Sequence, residues 1–590
     1  MTGQYLIPSL QVLLLSLGPG FPLFIALGLM MPSCRRLAGS MAPWAPLPAL
    51  LASLHGPSAI AVEVPWFFMG SLIGLDRTGQ IFLFFTSFLW LVAGIFGRDY
   101  LVADEKKYRF WGYFLFTMSG NFGLILSQGV LGFYLFFSLM SFAAYGLVIH
   151  HGTEEAMRAG RIYLGLTVIG EVLLFVAMLI VTRDSGGALA FAAMKTSRSD
   201  TLLMLLLFLG FGIKAGALPL HGWLPLAHPV APAPASAVLS GAMIKAGLLG
   251  WLRFMPPEQA AAPFWGGLFF VAGFAAALYG VAIGLTQVNA KTVLAYSSIS
   301  QMGLMTVMVG CGLLAPDHWP QATVAVSLYA VHHGLAKGSL FLGVGVAKKK
   351  WTGGRQPWWL LAGLWLPALA LAGLPLTSGA IAKYGMKEMI AAIPEPWHVL
   401  AVVLLPLCAM ATMLLLWHGI SLIRPAASRI KKEQGQGMLF AWAVNLAAVA
   451  AVLWLWPGSP VGASQPLAAA VLWGGLWPAG LGALAALTLR RSGWRGACRE
   501  KALVPAGDMI VAAQWLVERV MRWPWCQFLG KSSEDFSPAA GPDRQIWLPG
   551  IEARLKKGEK ILQRWAVVGG IFLAMMISLV YLFTGGNLFR

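Results

Sequence analysis

The chain has 590 residues, of which 58% are hydrophobic and only 11% charged, and its mean hydropathy is +0.72. This composition excludes a soluble globular protein and predicts an all-α protein that crosses a bilayer many times. A formal charge of +19 would suggest nucleic acid in a soluble protein; here the basic residues fall mostly in short loops between apolar runs, so no nucleic-acid partner is expected.

The first apolar run, 5–31, has no basic residue before it, which predicts a retained first helix rather than a cleaved leader. Arg35 and Arg36 follow it and place the N-terminus outside. Further apolar segments lie near 42–58, 79–97, 110–127, 129–150, 161–182, 201–220, 230–253, 263–287, 293–313, 320–347, 358–390, 397–422, 437–457, 466–490 and 566–584, for a total of about sixteen transmembrane helices. Residues 59–78, with Glu63, Pro65, Asp76 and Arg77, read as an external loop. Inner loops take Arg98, Lys106, Lys107, Arg109, Arg158, Lys291, Lys348 and Arg424; Arg77, Arg183, Lys195, Arg198 and Arg253 fall on the other side as exceptions.

The stretch 491–565 is basic and amphipathic. It is expected along the inner surface as two short interfacial helices, because Pro505, Pro524, Pro538, Pro542 and Pro549 forbid a continuous one.

Within the apolar runs a few polar residues stand out. Lys214 lies next to AGALPLHG (215–222), where Pro219 lacks the N–H that would bond to the Ala215 carbonyl. A helix break at that depth is tolerated only beside protein or water. Desolvation penalises the charged form of such a lysine and a nearby carboxylate restores it, which suits a proton relay; a static ion pair or a lysine reaching for the interface is the alternative. AGLPLTSG (372–379) echoes this break, with Pro375 inside it and Lys383 after it, a pairing that points to a transporter repeat. Lys383 reads as the exit residue, or else as an interfacial lysine. Lys245 is flanked by Ser236 and Ser240 and would either continue a wet path from Lys214 or bond carbonyls of a neighbouring helix.

Tyr329, His333 and Lys337 recur every fourth residue, so they share one helix face and form a candidate proton wire; His332 points elsewhere. Glu171, in IGEVLLFVAMLI, is the clearest carboxylate inside the apolar runs, and Lys214 is its expected partner. AYSSISQMG (295–303) either hydrates a neighbouring helix or bonds helices together. Cys34, Cys311, Cys408, Cys498 and Cys526 show no ligand spacing, so the chain is expected to hold no metal or cofactor and to have no active site of its own; any redox centre would lie in another subunit.

KAGALPLHGWLPLAHPVAPAPASAVLSGAMIKAG, NAKTVLAYSSISQMG, HGLAKGSLFLGVG and LAGLPLTSGAIAKYG, in this order, resemble the antiporter-like membrane subunits of the complex I superfamily over about residues 75–425. HPVAPAPASAVLSGAMIKAG is most similar to the large membrane subunit of group 4 hydrogenases and formate hydrogenlyase, with NADH-quinone oxidoreductase and multi-subunit sodium/proton antiporter subunits close behind. The resemblance implies a core of roughly fourteen helices with two inverted five-helix repeats and broken seventh and twelfth helices. It divides the chain into helices 1–3 (1–109), a first repeat (110–253), a second repeat (254–425), helices 14–15 (426–490), the interfacial segment (491–565) and a C-terminal transmembrane helix (566–590). It implies that Lys214, Lys245, His333, Lys337 and Lys383 match the family's proton path.

One position departs from the family, which usually carries a Trp-Glu pair in its fifth helix where this chain has Phe137 and Ser138. Either Glu171 takes the glutamate's role or part of the coupling is lost; a buried lysine without a counter-ion tends to go neutral, which favours the substitution. The sequence thus predicts a proton-translocating subunit in a bacterial inner membrane, with other membrane subunits, a peripheral redox or soluble module and the lipid bilayer as partners and sodium as a second candidate ion. A non-conducting scaffold for a soluble enzyme, or an uptake partner for a cation or bicarbonate, stays open.

Overall fold

The computed structural model describes residues 3–57, 62–64, 71–194, 201–255, 262–350, 357–423, 435–455, 469–491 and 502–511. The first helices are α1 (Gly3–Met30), α2 (Arg35–Met41) and α3 (Leu47–Leu54). A hairpin of β1 (Val62–Val64) and β2 (Ser71–Ile73), antiparallel with Val62 opposite Ile73, leads into α4 (Arg77–Tyr100), α5 (Lys107–Leu126), α6 (Val130–Val148), α7 (Glu154–Asp184) and α8 (Thr201–Ala215). Then come α9 (Trp223–Val230), α10 (Ala233–Val238), a π-helical turn (Leu239–Met243) and α11 (Ile244–Phe254). The remaining helices are α12 (Pro263–Leu285), α13 (Ala290–Leu314), α14 (Trp319–Lys350), α15 (Trp358–Ala372), α16 (Ser378–Ala391), α17 (Trp397–Ser421), α18 (Gln436–Leu455) and α19 (Ala469–Arg491).

Among the described residues, 11 spans are long and apolar enough to cross a membrane. Two expected runs are subdivided. Pro43, Pro46 and Pro48 interrupt 42–58, which becomes a 3-10 turn and α3. Residues 358–390 form two helices, α15 and α16, rather than one. The expected helix at 566–584 and most of 491–565 lie outside the described residues.

The two echoing motifs end their preceding helices in the same way. Each preceding helix ends at an alanine, and the next residue, Gly216 or Gly373, has a left-handed φ of 71° or 80°. In both, the following amide folds back across the last turn, Ala217 N–H to the Gly212 carbonyl at 2.9 Å and Leu374 N–H to the Leu369 carbonyl at 3.1 Å. This is a glycine-capped Schellman end. It moves the break from where Pro219 and Pro375 placed it: each helix has already stopped at its glycine, three and two residues earlier, and each proline lies inside the break.

Backbone contact binds the interior. Gly266, Gly273 and Gly280 recur every seventh residue on α12, and Gly303 and Gly310 do so on α13. A Cβ on Gly303 would come within 2.5 Å of the Gly273 carbonyl oxygen, and one on Gly310 within 2.8 Å of the Gly266 oxygen. Small residues at this spacing let two helices touch along several turns, the usual solution where lipid supplies no hydrophobic force between helices. Ala233–Phe254 and Ala290–Leu314 are 100% buried over their membrane-length windows and so present no face to lipid. By contrast α7 leaves Ile169, Val172 and Leu179 exposed.

Arg253, an exception to the charge rule, is a structural tie. Its guanidinium donates to the carbonyls of Ser127 (3.0 Å) and Ile125 (2.8 Å) at the end of α5 and to the Asp76 carboxylate (3.0 Å) that caps α4. Lys291 departs from expectation in the same way. Instead of standing in an inner loop, it is buried at the start of α13, where its amine donates to the Ala231 carbonyl at 2.5 Å. Charge counting along a sequence cannot see that a basic residue's partners are backbone carbonyls.

Gly303→Ala is expected to force α12 and α13 apart and cost about 1–3 kcal/mol. Gly20→Ala on α1, where an added Cβ meets nothing within 4 Å, is expected to raise stability by about 0.5–1 kcal/mol. The thermal midpoints of the two detergent-purified variants check this.

Candidate functional site

At the first break the Lys214 amine, on the last turn of α8, donates to the Tyr163 hydroxyl at 3.0 Å and lies over the rings of Tyr163 (5.4 Å) and Phe137 (6.0 Å). Tyr163 in turn donates to the Ser141 carbonyl at 2.7 Å. Glu171, two turns further along α7 than Tyr163, accepts from the Ser138 hydroxyl at 2.5 Å, while its second oxygen is buried with no hydrogen bond. Glu171 and Lys214 form no contact within 4.0 Å of the kind an ion pair needs; Glu171 is held by Ser138 and Lys214 by Tyr163. Tyr163 stands where the sequence placed a direct pair. Because Ser138 donates to Glu171, the hydroxyl at the departing position and the carboxylate one helix later form a single unit.

The centre is built on the two enclosed spans and α14. The π-helical turn before α11 widens the helix by one residue, and the Lys245 amine donates to the Ser240 carbonyl at 2.6 Å. The same amine lies 2.6 Å from His333 Nδ1 on α14. With Lys245 as an ammonium, which can only donate, Nδ1 would accept and Nε2 would carry the ring proton; Nε2 is buried without a partner. Ser240 shares a hydrogen bond with Ser298 at 2.8 Å. The neighbouring Ser297 hydroxyl accepts from the Lys337 amine, which also donates to the Leu294 carbonyl at 2.8 Å. Of the serines of AYSSISQMG, Ser297 thus meets Lys337, and Ser298 meets the residue whose carbonyl holds Lys245. Lys291 donates to Ser236 at 3.3 Å.

The remaining member of the α14 stripe is also engaged. Tyr329 donates to Gln301 Oε1 at 2.9 Å, and the Gln301 amide donates to Thr412 at 3.2 Å. His332, which lies off the four-residue stripe, bonds the Ser378 hydroxyl at 2.9 Å at the start of α16, with its ring 5.9 Å from that of Tyr329. It therefore faces the second break. There Lys383 turns back to donate to the Ala372 carbonyl at 2.5 Å, the last carbonyl of α15. Sequence reasoning missed His332 and Lys291, and it also missed His221 and Asp508, which meet beside the first break at 3.7 Å.

The site residues gather in three groups: Glu171 and Lys214; Lys245, His333 and Lys337; Tyr329 and Lys383 with His332. Among the described residues no hydrogen bond joins the first group to the second; what links them is packing, since a Cβ on Gly247 would meet the Phe211 carbonyl oxygen at 2.4 Å. Among the described residues no three His, Cys, Asp or Glu side chains gather as metal ligands do.

Residues 127–408 match the NADH:quinone oxidoreductase/Mrp antiporter membrane family. The chain is 32% identical over 344 residues, 54% of its own length and 51% of the relative's, to hydrogenase-4 component B of Escherichia coli K12. It is 25% identical over 356 residues to a Na(+)/H(+) antiporter subunit of Alkalihalophilus pseudofirmus, covering 57% of this chain and 70% of that one. Its fold is that of a chain in the Mrp complex from Dietzia sp. DQ12-45-1b, with a TM-score of 0.69 at 19% identity over 98% of this chain and 69% of that chain. The chain spans about half the length of hydrogenase-4 component B.

Ser138→Ala and Glu171→Leu are expected to be strongly non-additive, with a coupling of about 1.5 kcal/mol or more, because each removes one end of the same hydrogen bond. Unfolding of the single and double variants in detergent measures it; additive effects would separate the two side chains.

Proposed function

We propose that the chain, whose residues 127–408 match the NADH:quinone oxidoreductase/Mrp antiporter membrane family, is the proton-translocating, antiporter-like subunit of a multi-subunit bacterial membrane complex. Protons enter by Glu171 and Lys214, pass Lys245 and the Ser240–Ser298–Ser297 hydroxyls to His333 and Lys337, and leave by way of Tyr329 and Lys383. Its partners are other membrane subunits of a hydrogenase-like or complex I-like assembly and a peripheral redox or soluble module. It lies in the cytoplasmic membrane with its N-terminus outside. The matching glycine-capped breaks at 216 and 373 support two inverted five-helix repeats inside a core of roughly fourteen of about sixteen helices.

One observation carries the reading: neutral groups hold the central lysines. Lys245, Lys337 and Lys383 donate to carbonyls, a hydroxyl and an imidazole. A lysine held by a carboxylate leaves a stranded charge when it loses its proton, whereas one held by neutral acceptors does not. Lys245 and His333 Nδ1 face each other as two bases that can share one proton, and the unpartnered Nε2–H of His333 is the next donor. Moving one charge against an opposing potential takes about 2.3 kcal/mol per 100 mV, which the redox or antiport partner supplies.

The gap between Lys214 and Lys245 favours a second reading, a scaffold that docks a soluble enzyme and conducts nothing. Proton translocation by the whole complex in reconstituted vesicles separates the two. Lys214→Ala and Lys245→Ala are each expected to lower it at least about tenfold with assembly intact, a barrier change of about 1.4 kcal/mol or more. Unchanged translocation in both would leave the scaffold.

A further inference from the structure

Residues 502–511 dock against the first break while leaving Leu503 exposed. The Gln287 amide donates to the Val504 carbonyl at 2.9 Å. Ile510 fills the space beside Gly222, where an added Cβ would come within 2.5 Å of it, and Leu226 packs on Gly507. Between these anchors the Asp508 carboxylate accepts from the hydroxyls of Tyr279 on α12 and of Tyr296 on α13, the latter at 3.0 Å.

Burial makes this carboxylate unusual. Its side chain is only 9% exposed, and the tyrosines that hold it stand six residues before the end of α12 at Leu285 and six residues after the start of α13 at Ala290. A buried ionisable side chain is costly and marks a functional position unless a partner neutralises it. The group facing it is His221, in the break itself, fully buried, with neither ring nitrogen hydrogen-bonded. His221 Nε2 lies 3.7 Å from Asp508 Oδ1, too far for a hydrogen bond and close enough for one small rotation or one bridging water.

We propose that the C-terminal segment contributes a proton-transfer carboxylate, Asp508, which exchanges a proton with His221 at the first helix break. In the forward step the His221 imidazolium gives its Nε2 proton to Asp508 Oδ1, leaving a neutral imidazole and a neutral carboxylic acid. The pair carries no net charge before or after, so the step moves a proton without burying a new charge. The two tyrosine hydroxyls hold the carboxylate in place and stabilise its charged form. The inference rests on the relay reading above and adds to it a branch supplied by a segment outside the matched residues 127–408.

The test is Asp508→Asn in the whole complex in vesicles, a change that keeps an acceptor oxygen for the tyrosines and removes the titrating group. Translocation is expected to fall at least about tenfold while assembly and thermal midpoint stay as in the unaltered complex, and Asp508→Glu is expected to recover it to within about threefold. If Asp508→Asn translocates normally while Lys214→Ala does not, the segment is only an anchor and this inference falls while the relay stands. If Lys214→Ala and Lys245→Ala also translocate normally, the relay itself falls. Should Asp508→Asn fail to assemble, His221→Gln decides: loss of translocation supports the exchange, and normal translocation overturns it.

Discussion

A buried ammonium group must have an acceptor, and in a membrane helix the carbonyls are already bonded to their own backbone. This constraint explains why the fold interrupts its own helices. Lys245 takes a carbonyl from within a π-helical turn and Lys383 takes the last carbonyl of a helix that stops at Gly373, whereas Lys337 shares the Leu294 carbonyl and Ser297 hydroxyl of the uninterrupted α13. At the first break Lys214 uses Tyr163 instead, while the freed Ile213 carbonyl accepts from the Trp223 indole at 2.7 Å. Each break thus provides or releases the acceptors that the nearby cation or ring donor occupies.

The two halves answer the constraint differently. The first contains a carboxylate, Glu171, held by Ser138, while Lys214 is held by Tyr163. The second places His332 on the Ser378 hydroxyl and Lys383 on a backbone carbonyl, both neutral groups. On the proposed relay, charge separation at the first half would respond to a proton arriving at Glu171, and the second half would pass a proton among neutral acceptors. Close glycine packing between α12 and α13 keeps the enclosed α13, which contacts both halves, rigid enough to hold Ser297, Ser298 and Gln301 in register.

Much of this was legible in the sequence. Lys214, Lys245 and Lys383 stood out because charge in an apolar run is rare, and the echo of AGALPLHG in AGLPLTSG marked both breaks. The position of each break was not legible, because proline is the conspicuous residue and the left-handed glycine before it does the turning. His332 was lost to the rule that a helix has one polar face; α14 is enclosed by other helices, so a second face also meets a polar neighbour. Asp508 was hidden because local composition describes a surface segment, and only the tertiary contact with Tyr279 and Tyr296 removes its carboxylate from that surface.

The central claim is that the buried groups change protonation in step with transport rather than serving as fixed struts. Infrared difference spectroscopy of the vesicle-reconstituted complex, resting against working, measures this directly at Glu171. The account predicts a protonated-carboxyl band that changes under turnover and disappears in Glu171→Gln. A spectrum with no carboxyl change assignable to Glu171, from a complex that translocates protons at its full rate, would contradict it.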